Sequence, residues 1–274
     1  MGDGTMPELP EVETTRVGIM PHVTGRVINQ LLVREHRLRW PVDPHLSQWA
    51  SGQRITGVSR RAKYLLLELE QGWLMLHLGM SGSLRVLPQG TEPLKHDHVD
   101  ILLDSGQVLR YRDPRRFGSL FYLTALSHPL LDKLGPEPLS DEFSVDYLMG
   151  RAASVKRNIK TFLMDAEVVV GVGNIYANEA LYYAGIRPLA EAGTVSRRRM
   201  SRLVPAGKMV LEKAIQAGGT SLRDFLHEDG KPGYFRHELQ VYGREGETCY
   251  RCGGALTSLR ISSRATVFCK RCQR

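Results

Sequence analysis

A chain of 274 residues, 42% hydrophobic and 24% charged, is long enough for two cores and too apolar to be disordered. Its 37 Lys and Arg against 29 Asp and Glu, a formal charge of +8, favour an anionic partner such as nucleic acid, although net charge decides no fold. No apolar run approaches the ~18 to 20 residues of a membrane span, and Asp3, Glu8, Glu11 and Glu13 exclude a signal peptide from the first twenty residues, so a soluble protein of a reducing compartment is expected.

Met1–Thr5 has glycines and no apolar anchor, and reads as a disordered extension. Prolines and carboxylates from Met6 onward predict a helix reaching about Met20, since both suit a helix start. Between Arg26 and about Leu123 the pattern is of strands. Val27-Ile28, Leu31–Val33, Tyr64–Leu67, Trp73–Leu76, Val99–Leu102 and Val108-Leu109 are short apolar runs, punctuated by glycines. This predicts an antiparallel sandwich or barrel, and the absence of strand–helix alternation argues against a parallel sheet. The expected partition is a β domain over 6–128, a linker over 129–142 centred on Gly135-Pro136-Glu137-Pro138, a helical domain over 143–235 and a metal module over 236–274. Helices are expected near Phe143–Gly150, Val155–Met164, Ile175–Ala184, Ser196–Ala217 and Ser221–Phe225, with Arg197, Arg198, Arg199 and Arg202 on a solvated face.

The cysteines carry the strongest signal. Cys249-Tyr-Arg-Cys252 and Cys269-Lys-Arg-Cys272 are CxxC pairs whose spacing suits a zinc ribbon, with two structural disulfides or four unrelated thiols as the alternatives. Four sulfurs leave no open position, so the zinc would be structural. From Arg244 to Arg274 seven Arg and Lys stand against two Glu, which suits a polyanion.

Other stretches are weaker. Gly171-Val-Gly-Asn174 can open a helix onto a phosphate or be a plain interhelical turn. Arg112-Asp-Pro-Arg-Arg-Phe-Gly118 can present guanidinium groups and a ring to DNA, or be a surface turn whose Asp113 neutralises an arginine. His77-Leu-Gly-Met80-Ser-Gly82 is a second glycine-flanked turn, with Met80 buried by default. Arg60-Arg61-Ala62-Lys63 is a basic edge, and His96-Asp97-His98 lacks further ligands for a metal.

Met6-Pro-Glu-Leu-Pro-Glu-Val-Glu13, Arg61-Ala-Lys-Tyr64, His77–Gly82, Asp113–Gly118, Val172-Gly-Asn-Ile-Tyr176 and the terminal cysteines occur together and in order. In that ordered set the chain resembles the bacterial formamidopyrimidine-DNA glycosylases from Met6 to Arg274, and Leu9 points to the purine-lesion branch. The resemblance implies an α+β multidomain fold: an N-terminal antiparallel β-sandwich, then a C-terminal helical domain with a helix–two-turns–helix element and a four-cysteine zinc finger. DNA would lie between them.

It also implies a base-excision-repair glycosylase and AP lyase acting on double-stranded DNA with oxidised purines or abasic sites. Pro7 maps onto the family's nucleophile and Glu8 onto the group that protonates the opening sugar. Lys63 is assigned proton transfer in the first elimination and Arg264 in the second. Met80, Arg115 and Phe117 match the residues that fill the void left by the everted base. His96, Lys160 and Asn174 match positions that touch DNA; Lys156 and Arg157 are further phosphate contacts. Asp229–Tyr234 corresponds to the lid over that base. One zinc ion, a monomer, no membrane contact and a cytoplasmic, nucleoid-associated location complete the expectation. Two departures stand out. With Met1–Thr5 and Met6 attached, Pro7 is an amide without a nucleophilic lone pair, so translation must start at Met6 or the extension must be cleaved. Ala166 replaces a frequent amide side chain. The alternatives are a zinc-containing protein that binds lesions without excising them, and a glycosylase for oxidised pyrimidines.

Overall fold

The computed structural model describes residues 7–218 and 239–274. The extension Met1–Thr5, the helix expected at Ser221–Phe225 and the Asp229–Tyr234 loop lie outside them. The chain falls into two compact units, one ending at Asp132 and one built from Lys133–Ala217 with the C-terminal segment.

The first unit opens with helix α1, Leu9–Val23. Pro10 sits in its first turn, where a missing N–H is harmless. Glu8 is the N-cap, and its backbone N–H donates to Glu11 Oε2 at 2.9 Å in a capping box. Pro7 therefore precedes the helix instead of beginning it.

Strands β1 (Ile28–Val33), β2 (Ile55–Arg61), β3 (Tyr64–Leu69), β4 (Gly72–His77), β5 (Ser83–Pro88), β6 (Asp97–Leu103), β7 (Gln107–Arg112) and β8 (Ser119–Leu123) make two four-stranded antiparallel sheets, ordered β1-β6-β7-β5 and β2-β3-β4-β8. Alternation decides their inner faces. Leu65, Leu67 and Leu69 of β3 and Leu74 and Leu76 of β4 share one core with Ile28, Leu31, Ile101, Leu109 and Tyr111 of the other sheet. Val12, Ile19 and Val23 of α1 and Leu46 and Ala50 of helix α2 (Leu46–Ala50) seal it. The expected sandwich is present. β2, β5 and β8 were absent from the apolar runs; polar residues interrupt β2 and β5, and pairing with β3 and β7 makes those two strands, as pairing with β4 does for β8. A short helix, α3 (Pro129–Asp132), ends this unit inside the segment expected to be linker.

In the second unit, α4 (Val145–Ala152) and α5 (Ile159–Leu163) begin at Ser144 and Asn158, whose side chains accept the Tyr147 and Thr161 N–H groups. The helix expected over Val155–Met164 is shorter, because it begins only at the Asn158 cap. α6 (Asn174–Ala184) is buried on nearly every side and packs against α7 (Arg197–Gln216), which leaves Arg197, Arg198 and Arg202 exposed and Arg199 half-buried. Strands β9 (Thr257–Ile261) and β10 (Arg264–Phe268) form a hairpin. Polar groups buried on α6 hold this C-terminal segment: Asn178 Oδ1 accepts the Val267 N–H at 3.1 Å, and the Glu179 carboxylate accepts the amides of Gln240, Val241 and Tyr242 at 2.8 to 2.9 Å. Arg251 donates to the Tyr182 carbonyl at 2.9 Å, and Gln273 to that of Ile186 at 2.9 Å. Among the described residues no helix is long and apolar enough to cross a membrane.

Candidate active site and metal centre

The sulfurs of Cys249, Cys252, Cys269 and Cys272 all lie within 4.8 Å of one another. Cys249 and Cys272 are 3.9 Å apart and Cys252 and Cys269 3.4 Å. Zinc–sulfur bonds of ~2.3 Å in a tetrahedron space the sulfurs about 3.8 Å apart, so the donor set fits one zinc ion. Disulfides do not fit, because bonded sulfurs stand only ~2.05 Å apart. Each knuckle is a tight turn, with the Gly253 N–H on the Cys249 carbonyl at 2.9 Å and the Gln273 N–H on that of Cys269 at 3.0 Å. The Tyr182 hydroxyl reaches Cys249 Sγ at 3.4 Å, orienting one ligand from α6. Ser262 and Ser263 turn the β9–β10 hairpin with φ of 48° and 62°. Two left-handed residues are what a tight two-residue hairpin of this twist requires, and they place the exposed Arg264 at the first position of β10.

In the sandwich, register gathers distant segments at one rim. Arg61 pairs with Tyr64, Tyr64 with His77 and His77 with Ser119, one row across the end of the β2-β3-β4-β8 sheet. Arg112 faces both Ser83 and Asp97 across the end of the other sheet. The chain crosses between sheets through 78–82 and back through 113–118. The turn carrying Lys63, the loops carrying Met80, Arg115 and Phe117, and His96 therefore emerge together. α1 adds its N-terminal end to the same rim: Arg16 donates to the Val58 carbonyl at 3.1 Å and Glu13 accepts from Arg60 at 3.0 Å, so α1 runs toward the Lys63 turn as it approaches Glu8.

The rim residues differ in exposure. Pro7 and Glu8 are buried and Lys63 half-buried. Ala62, beside Lys63, takes a left-handed φ of 54°, an unfavourable conformation for a residue with a Cβ. Met80 is half-buried instead of buried, and Arg115 and Phe117 are exposed, with the Arg115 guanidinium 4.9 Å from the Phe117 ring centre. Asp113 does not neutralise an arginine. It is fully buried, and its carboxylate takes two hydroxyls and two backbone amides. Desolvation, followed by the nearby charges of Lys95, His98, Arg112 and Arg116, holds the pKa of His96 below its ordinary value.

Burial, followed by the charges of Lys63 and Arg39, lowers the pKa of His77 to about 4. Neutral at pH 7, His77 accepts the Gly79 N–H on Nδ1 at 3.0 Å. Its folded-state pKa lies below the unfolded value of ~6.5, so its stabilising contribution is complete above that pH and is lost as pH falls toward 4. An NMR titration of the His77 ring should show its midpoint near 4. A midpoint at the ordinary histidine value in the folded protein would refute this environment.

In the helical unit Asn174 opens α6 behind Gly173 and is 7% exposed. Its Oδ1 is the one buried side-chain oxygen or nitrogen without a hydrogen-bond partner among the described residues. Such a group points to a missing ligand. Lys156 and Arg157 are exposed, and Arg157 pairs with Asp165 at 2.6 Å. Lys160, expected to touch DNA, is placed differently from these exposed cations. It is 1% exposed, and its ammonium donates to the Ala265 carbonyl at 2.9 Å and to Thr266 Oγ1 at 2.6 Å. It braces α5 against β10 through these two bonds. Sequence reading missed the roles of Asn178, Glu179, Tyr182 and Gln273. Their one signal was polar residues on helix and knuckle faces that are otherwise buried.

Three family models cover the chain in order: the formamidopyrimidine-DNA glycosylase N-terminal domain over residues 6–120, the formamidopyrimidine-DNA glycosylase H2TH domain over 134–226, and a zinc finger found in FPG and IleRS over 246–274. The chain belongs to the formamidopyrimidine-DNA glycosylase family. A formamidopyrimidine-DNA glycosylase of Stenotrophomonas maltophilia is 57% identical over 270 residues, 98% of this chain and 100% of the relative. Two solved structures of the Lactococcus lactis glycosylase superpose with a TM-score of 0.90. One, a variant bound to Fapy-dG-containing DNA, is 34% identical and covers 98% of this chain and 100% of its own; the other, bound to DNA with an abasic site, is 33% identical and covers 97% and 99%. The protein is thus a DNA glycosylase/AP lyase with the family's sandwich, H2TH helices and structural zinc finger.

Proposed function

We propose that this glycosylase excises oxidised purines, 8-oxoguanine and formamidopyrimidines, from double-stranded DNA and then cleaves the abasic strand, with Pro7 as nucleophile. The observation that carries the reading is the sandwich rim, where Lys63, Met80, His96, Arg115 and Phe117 converge on the end of α1 that leads to Pro7 and Glu8. The family model's match begins at Met6, directly ahead of Pro7.

A free proline amine attacks the sugar C1′ and breaks its bond to the damaged base, which leaves with a proton. Glu8 supplies the proton that opens the sugar. The resulting iminium draws electrons, so loss of a C2′ proton expels the 3′ phosphate and a second elimination expels the 5′ phosphate. Lys63 and Arg264 are the proton-transfer groups for the two eliminations. Asn174, with its unpartnered oxygen, and Arg264 hold the phosphate beside the lesion. Lys156, Arg157 and His96 contribute backbone contacts. Met80, Arg115 and Phe117 enter the helix where the base has left and offset an unstacking cost of a few kcal/mol. Zinc supplies the cross-link that keeps the Arg264 hairpin folded. Such chemistry belongs in the bacterial cytoplasm at the nucleoid, where the substrate is.

Paired assays on duplexes with one 8-oxoguanine or one thymine glycol test the substrate assignment. Faster excision of 8-oxoguanine opposite cytosine is expected; a clear preference for thymine glycol would transfer the enzyme to oxidised pyrimidines.

A further inference from the structure

The buried carboxylate of Asp113 sits where the two crossing loops of the sandwich meet. Asp113 is 0% exposed. Its Oδ1 accepts the Ser81 hydroxyl at 2.6 Å and the Arg115 N–H at 3.3 Å. Its Oδ2 accepts the Tyr111 hydroxyl at 3.0 Å and the Gly118 N–H at 2.8 Å. The Arg115 N–H is shared with Ser81 Oγ at 3.1 Å. One side chain thus ties the residue after Met80, the backbone of Arg115 and the residue after Phe117. The loops also touch backbone to backbone, since a Cβ on Gly79 would stand 2.5 Å from the Phe117 carbonyl carbon. Between the two tethered amides lies Arg116, with a left-handed φ of 57°, which turns the chain so that Arg115 and Phe117 both face outward.

The geometry points to Asp113 as the positioning residue that sets, through its four donors, where Met80, Arg115 and Phe117 stand before DNA arrives. This deepens the void-filling assignment and rests on it. A carboxylate is required because every donor brings a hydrogen and only two acceptor oxygens serve all four. An amide in its place has one oxygen and one NH2. In one orientation the NH2 faces the Gly118 N–H, which then has no acceptor. In the other it faces the Arg115 N–H and reverses the Ser81 bond, leaving Arg115 on Ser81 alone. Either arrangement loosens a loop at the point where its intercalating residue is aimed.

The test compares Asp113→Asn with wild type on 8-oxoguanine duplexes carrying cytosine or adenine opposite the lesion. Excision opposite cytosine should fall about tenfold or more, the loss expected for a charge-assisted bond. The cytosine-to-adenine preference should shrink with it, because the void that Arg115 is assigned to fill faces the base opposite the lesion. A merely structural role would lower both rates alike and leave the ratio unchanged. If Asp113→Asn does not fold, Ser81→Ala and Tyr111→Phe decide, since both keep the carboxylate and remove one donor each. Ser81→Ala should lower the ratio, and Tyr111→Phe should slow excision. Wild-type rates and ratio in folded variants would overturn the inference. Phe117→Ala and Arg115→Ala separate it from the reading beneath it. Should those two leave excision unaltered, the void-filling assignment fails; should they impair it while the Asp113 and Ser81 variants do not, only the role of Asp113 fails.

Discussion

A chain whose first residue is Pro7 should form a borohydride-reducible adduct with a duplex containing 8-oxoguanine, and the same chain with residues 1–6 attached should form none. The difference is electronic. A terminal amine titrates near 8, against about 10.4 for a lysine ammonium, so much of it is neutral at working pH and can attack C1′. Acylation turns that nitrogen into an amide whose lone pair is delocalised into the carbonyl. Loss of the nucleophile should cut excision at least about a thousandfold, since removing a covalent catalyst discards the step it carries. Peptide mapping of the trapped adduct should place the crosslink on Pro7. A crosslink on Lys63, or trapping by the chain with residues 1–6 intact, would remove Pro7 from the mechanism. Correct folding with no adduct from the Pro7-start chain would favour a protein that binds lesions without excising them.

Replacing Cys269 by serine should release the zinc and with it the ordered hairpin. The ion would be the one cross-link between the two knuckles, and the buried cluster around them is small: Tyr182, Val241, Cys249, Leu256, Val267 and Cys269. Structural zinc in such modules contributes on the order of 10 kcal/mol to folding, far more than a cluster of that size can replace. The expected measurements are a fall from one zinc per chain to none by elemental analysis, and loss of specific DNA binding. The first unit should keep its cooperative unfolding transition, since its sandwich core contains none of these residues. Full zinc content and unchanged DNA affinity in Cys269→Ser would show that the four sulfurs do not act as one ligand set.

Much of this architecture was legible before folding, for reasons that residue chemistry explains. Cysteine spacing announces a four-sulfur site because two ligands with two residues between them reach one ion from one turn. The Leu-rich runs of β3 and β4 announce strands because every second side chain enters the core. Boundaries were less legible. β2 and β5 carry too many polar residues to read as strands, and only their partners' open edges recruit them. α5 loses half its expected length to the Asn158 cap, since a side-chain acceptor for orphan amides competes with continued helix.

The site divides in the same way. The sequence, through the ordered motifs it shares with the family, nominated the residues proposed to carry chemistry: Pro7 and Glu8 beside the first helix, Lys63 and Arg264 at turns, Asn174 at the start of α6, and the sulfurs of a zinc knuckle. It could not say which of them meet, because strand register couples residues far apart in the chain and no local pattern encodes that pairing. Tertiary structure decided that the Lys63 turn, the Met80 loop and the Arg115–Phe117 loop share one rim. It also made Lys160 a buried brace to β10, and Asp113, not the neighbour of an arginine, a carboxylate enclosed by four donors. Both changes have one cause: a charged group withdrawn from water must be satisfied by whatever donors or acceptors the packed chain brings to it, and only the folded chain determines which those are.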